Sequence, residues 1–200
     1  MGPLLKLSQG IDWFSDHVGR TIRWLVLASV LISAGNAIIR KMFNISSNSF
    51  LEIQWYLFAG VFLLGAGFAF LRNVHVRIDF ISSKLSKRTN TLIDIAGIVV
   101  FLTPLCVIMV WLSWPLFYSA WVSGEMSQNA GGLIRWPAYL LMPLGFGLLL
   151  LQALSELIKR VAFLRGLRAE PMSVEEGKSD EELLAEELAA AAELKLSGAK

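Results

Sequence analysis

The sequence predicts an all-α integral membrane protein with four transmembrane helices and both ends in the cytoplasm. Three observations predict it. Of 200 residues, 55% are hydrophobic and only 17% charged, against about 25% charged in an ordinary soluble domain. The missing charge is concentrated in four long apolar runs. The segments joining those runs are rich and poor in Lys and Arg by turns, as alternate sides of a membrane require.

The first twenty residues are amphipathic. Leu4, Leu7, Ile11, Phe14 and Val18 recur at helical spacing, with Lys6, Gln9, Asp12 and Asp16 elsewhere. This pattern predicts an interfacial helix over 1–20, lying on the cytoplasmic membrane surface with Trp13 at headgroup depth. The plainer alternative is a short soluble helix packed on cytoplasmic loops.

Crossing the hydrocarbon core takes about 20 apolar residues. Four segments qualify, at about 21–39, 53–71, 94–121 and 136–158. Arg23 snorkels from the first to the interface. The second lies between Glu52 and Arg72. The third sits in an uncharged run from Ile95 to Gly124, long enough to require tilt, or a bend at Pro104 or Pro115. The fourth has Pro137 at its start, where a missing N–H costs little. Together they make a transmembrane domain over 21–160. Gly35-Asn36-Ala37 weakly resembles a signal-peptidase site, but the apolar stretch is long for a signal peptide.

Charge orients the bundle. The N-terminal segment, the loop between spans two and three, and the segment after span four hold 12 Lys and Arg, including Lys159 and Arg160. The other two loops hold Arg40, Lys41 and Arg135. The positive-inside rule places the larger group in the cytoplasm. Trp55, Tyr56, Trp114, Tyr118, Trp121, Trp136 and Tyr139 then gather near the outer interface. Residues 161–200 form a cytoplasmic tail that turns acidic from Glu170. Ser179 and Glu182 make a capping box for a short solvated helix over about 179–194.

Enzymatic chemistry finds few reagents. His17 and His75 are the two histidines, both outside the spans, so paired axial haem ligation across the bundle is excluded. There is no phosphate-binding G-x-x-x-x-G-K-[ST] loop and no zinc-like Cys/His spacing. The lone Cys106 lies within an apolar run and reads as a buried structural residue. No cofactor, metal or nucleic acid is expected. Glu52, Asp94 and Glu156 stand at span ends, and Asn36 and Gln152 are the main polar residues at depth. Spans so poor in charge make a poor autonomous coupled transporter, which favours an accessory role. Small residues repeat every four positions at Ser29, Ser33 and Ala37, and at Gly65 and Ala69. Such spacing lets helices approach closely, within this bundle or against a partner.

Several stretches then resemble the small membrane subunit of tripartite ATP-independent periplasmic (TRAP) transporters, the DctQ type, over roughly residues 20–160. Glu52 opens span two with aromatics close behind. Arg72 followed by His75-Val76-Arg77-Ile78-Asp79 resembles the family's Arg-x-x-His-(Val/Ile)-x-(Val/Ile)-Asp signature. Trp136-Pro137, Tyr139, Pro143-Leu144-Gly145-Phe146 and Leu151-Gln152 resemble its fourth-helix pattern. The stretch from Gly124 to Leu133 resembles a subgroup labelled for mannitol, chloroaromatic or 2-oxo acid substrates. The acidic tail falls outside the family pattern.

The resemblance implies a bacterial inner-membrane subunit that is not an enzyme. It would scaffold a large membrane subunit for sodium-driven uptake of an organic acid delivered by a periplasmic substrate-binding protein. Candidate subunit or lipid contacts are Ser29, Ser33, Ala37, Glu52, Gly65, Ala69, Arg72, His75, Arg77, Asp79, Pro143 and Gly145. For His75, Arg77 and Asp79, local architecture competes with a coupling role: Asp79 capping an interfacial helix and Arg77 meeting lipid phosphate. Two other classes of function compete. An autonomous homo-oligomeric small transporter or channel needs polar residues lining a pore in each span. A membrane enzyme needs a reactive cluster.

Overall fold

The computed structural model describes residues 2–43, 47–73 and 85–168. They form four helices, α1 (Gly2–Phe43), α2 (Asn48–Leu71), α3 (Lys87–Ser123) and α4 (Trp136–Leu164), each long and apolar enough to cross a membrane. Among the described residues there is no strand, only an isolated antiparallel bridge between Met126 and Ile134. The expected positions of His75, Arg77 and Asp79, and the tail helix over 179–194, lie outside the described residues.

The α4 helix packs against the other three, and α1 and α2 also pack on each other. Glycine sets how closely the helices approach. A Cβ on Gly145 of α4 would stand 2.7 Å from both the Cβ and the carbonyl oxygen of Leu63 on α2. One turn further along, Gly67 of α2 faces the Leu148 carbonyl, 3.3 Å from where its Cβ would lie. In lipid, where apolar burial gives little drive for helix association, such close backbone contact supplies the packing.

The α1 helix runs unbroken across residues 20 and 21, where the sequence suggested a boundary between an interfacial helix and span one. At 1.5 Å per residue its 42 residues extend about 63 Å, roughly twice the hydrocarbon thickness. Nothing between His17 and Ile22 interrupts the ladder. Gly19 leaves room for the Phe68 ring of α2, which lies where a side chain would be. The face turned inward is small and polar, with Ser8, Ser15, Gly19, Ile22 and Ser29 buried. Leu4, Leu7, Trp13 and Phe14 point away from the bundle.

The α3 helix touches α4 along one narrow seam. Its buried residues are Thr91, Ile98, Cys106, Ser113 and Ala120. The interval between successive members is seven, except for eight between Ile98 and Cys106. That extra residue falls where the helix widens into a π-helical segment, Ile98–Leu102. Pro104 offers no N–H to Val100, and the wider turn, closed by the Thr103 N–H on the Ile98 carbonyl, accommodates the gap. The expected bend is therefore a local widening ahead of Pro104 that keeps the seam on one face. The rest of α3 is left uncovered, including Phe101, Trp111, Leu112 and Val122.

Candidate functional site

Polar side chains concentrate at the two ends of the bundle. At the end carrying the start of α1 and the finish of α4, the sequence of α4 places Gln152, Ser155, Glu156, Lys159 and Arg160 at intervals of three and four, on one helical face. All five are buried. Glu156 is paired with both Lys159 and Arg160. Lys159 also reaches Asp12 of α1, with Nζ 3.1 Å from Oδ2. Arg160 reaches Asp94 of α3 at 3.2 Å. Hydrogen bonds complete the set. Asp12 Oδ1 accepts from Ser155 Oγ at 2.6 Å and from Gln152 Nε2 at 2.9 Å. Ser15 donates to Gln152 Oε1 at 2.7 Å, and the Ser8 and Ser155 hydroxyls meet at 2.7 Å. One connected network thus binds α1, α3 and α4. Beside it, Asp16 pairs with both Arg20 and Arg72, joining α1 to the end of α2.

This arrangement differs from the sequence expectation in one respect. Lys159 and Arg160 were assigned to the segment after span four. The helix continues to Leu164, and burial between three helices takes both side chains out of the loop. Without them the basic asymmetry is ten against three, with the same sign.

The opposite end holds the second polar group. Residues 125–135 fold back as a short hairpin. Ser127 N–H bonds the Leu133 carbonyl and Arg135 N–H bonds the Glu125 carbonyl, both at 2.9 Å. The Gly132 N–H closes the tip on the Asn129 carbonyl. Gly131 has φ of +71° there, a conformation that costs glycine little. The first three turns of α2 grip this hairpin. Asn48 donates to the Ala130 carbonyl at 3.0 Å, Ser49 to that of Gly131, and Tyr56 to that of Ile134 at 3.1 Å. Glu52, buried beneath, accepts from the Ser127 hydroxyl, from Asn129 Nδ2 at 2.7 Å and from the Leu133 N–H at 2.6 Å. Glu125 and Arg135 form an ion pair at the hairpin base. Aromatic rings gather at the same end, with Trp121 and Trp136 edge to face at 4.5 Å between centroids.

The candidate contact residues are thereby distributed. Glu52 is engaged by its own chain's hairpin, and Arg72 by Asp16. Gly145 and Pro143 are buried within the bundle, and Gly65 lies 3.8 Å (from a built Cβ) from Ile22 of α1. Ser29 is buried with no hydrogen-bond partner for its hydroxyl among the described residues. Ser33 and Ala69 are half-buried, and Ala37 is exposed. The Asp12, Glu156, Lys159 and Arg160 network is absent from that set. The spacing 152, 155, 156, 159, 160 was its one sequence signal, and it reads as a polar helix face only once the helix is known to continue past 158.

A bundle of four membrane-length helices, polar at its ends and apolar along its flanks, defines a multi-pass membrane protein. The family model described as "Tripartite ATP-independent periplasmic transporters, DctQ component" matches residues 29–163. The chain belongs to this family, that of a transporter component and not of an enzyme. No curated protein and no solved structure matches it significantly.

Proposed function

We propose that this chain is the small membrane subunit of a tripartite transporter, resident in the bacterial inner membrane with both termini in the cytoplasm. It scaffolds the large transport subunit during sodium-driven uptake of an organic acid brought by a soluble periplasmic protein. Family membership over 29–163 carries the reading. Two features support it. The uncovered apolar flanks of α1 and α3 suit lipid and a larger membrane partner. The basic excess at the end bearing the ion-pair network orients the hairpin end outward. The outward hairpin is then available to help dock the soluble component.

Reconstitution tests the whole reading. Co-purified small and large subunits in liposomes should take up a radiolabelled organic acid only with the soluble component and a sodium gradient. A panel of 2-oxo, dicarboxylic, sugar and aromatic acids finds the substrate. Uptake by this chain alone would refute the scaffold role and favour the homo-oligomeric transporter.

Topology has a separate check. Cys106 is fully buried on the α3 seam, so it should resist maleimide in the folded protein and give a clean background. Gln128→Cys should then label from outside intact cells, and Leu167→Cys only after permeabilisation. The reverse pattern would invert the bundle.

A further inference from the structure

We propose that Glu52 is a positioning residue, holding the 125–135 hairpin in one shape before any partner arrives, so that the soluble component meets a preformed docking surface. The inference rests on the reading above, in which the hairpin end faces that component.

A two-stranded hairpin of this size is marginal on its own, and this one has a single bridge and few cross-strand bonds. Its conformation is therefore imposed from below. Glu52 is the one acidic side chain of α2, and burying a carboxylate is costly unless its oxygens are satisfied. Here they are satisfied by donors spread over the hairpin: Ser127 on the first arm, Asn129 at the tip and the Leu133 backbone on the second arm. A single group bonded to all three parts selects one loop conformation. Gly132 makes room for it, because a Cβ there would lie 2.9 Å from Glu52 Oε1 and 2.5 Å from the Ser127 Cβ. The α2 helix is itself fixed on α4 by the Gly145–Leu63 contact, so the hairpin is referenced to the scaffold.

The surface this leaves is suited to a folded protein. Met126, Gln128, Ala130 and Gly131 are exposed, small or uncharged, and flanked by the Glu125–Arg135 pair. Such a loop ordered only on docking would lose affinity to the ordering entropy, and a preformed one would not.

The test uses the reconstituted complex with its soluble component, titrating that component and reading uptake of the acid found in the panel. Glu52→Ala should raise the half-saturating concentration of the soluble component about fivefold or more, with the maximal rate at saturation and the yield of large subunit unchanged. Glu52→Gln, which keeps one acceptor, should fall between. If Glu52→Ala fails to co-purify with the large subunit, the Ser127→Ala/Asn129→Ala double variant decides, since it removes two donors and leaves Glu52 in α2. An unchanged half-saturation in the deciding variant, or a lowered maximal rate with half-saturation unmoved, overturns the proposal while the transporter reading stands. Wild-type uptake indifferent to the soluble component defeats both.

Discussion

Glu156→Ala should destabilise the chain by about 3–5 kcal/mol, the range for removing one partner of a buried ion pair. The expected loss is large because Glu156 serves two cations. Lys159 is 1% exposed and Arg160 3%, so both are held out of bulk water while they face Glu156. Lys159 would keep Asp12, and Arg160 would keep Asp94, which sets the upper limit. Asp12→Ala should cost less. Asp12 stands at the rim of the network, in an open pocket that is also lined by Leu5, Ser8, Gln9 and Lys159, so water can replace the Asp12 carboxylate beside Lys159. Unfolding in detergent micelles by added SDS, followed through tryptophan fluorescence, measures both. A Glu156→Ala loss below about 1 kcal/mol, the scale of exposed pairs, would mean that the network is hydrated and contributes no more than surface ion pairs.

Gly145→Ala should separate α2 from α4 at a cost of about 1–3 kcal/mol, the usual penalty of overpacking. The added methyl has nowhere to go, because Leu63 presents backbone as well as side chain at 2.7–2.8 Å, and backbone cannot rotate aside. The control lies two residues on. Gly147 has nothing within 4 Å of a built Cβ, so Gly147→Ala should be neutral or stabilise by up to about 1 kcal/mol through helix propensity. The same SDS titration compares them. Equal effects at the two positions would show that the cost lies in helix propensity and not in the close crossing.

The sequence and the structure agree most where one property decides. Apolar length marked α2 and α3 because a helix crossing lipid must be apolar along its whole length. The small-residue repeats at Ser29, Ser33 and Ala37 and at Gly65 and Ala69 suggested close approach, whereas the tight crossings fall at Gly19, Gly67 and Gly145. Which glycines sit at a crossing was not legible, since Gly145 at a crossing and Gly147 facing open space, both on α4, look alike in one dimension. Glu52 was visible as an acidic residue at a span end, and 124–133 as a recognisable stretch. Nothing along the chain connected Glu52 to Ser127, Asn129 and Leu133, because those bonds bridge some eighty positions.

Composition and periodicity by themselves determined the class of protein, its four long helices and the alternation of basic and poorly charged segments. Each of these follows from local chemistry: apolar runs, helical spacing and loop charge. Only the tertiary structure decided what the polar residues of α1 and α4 do. A linear reading sends Lys159 and Arg160 to solvent; Lys159 is buried against Asp12, brought to α4 by the continuous α1, and Arg160 against Asp94 of α3. It also decided that the apolar face of 4–14 turns outward. A buried charge is tolerated only where a counter-charge lies at contact distance; Glu156 supplies part of it from within α4, and Asp12 and Asp94 supply the rest from helices far apart in sequence.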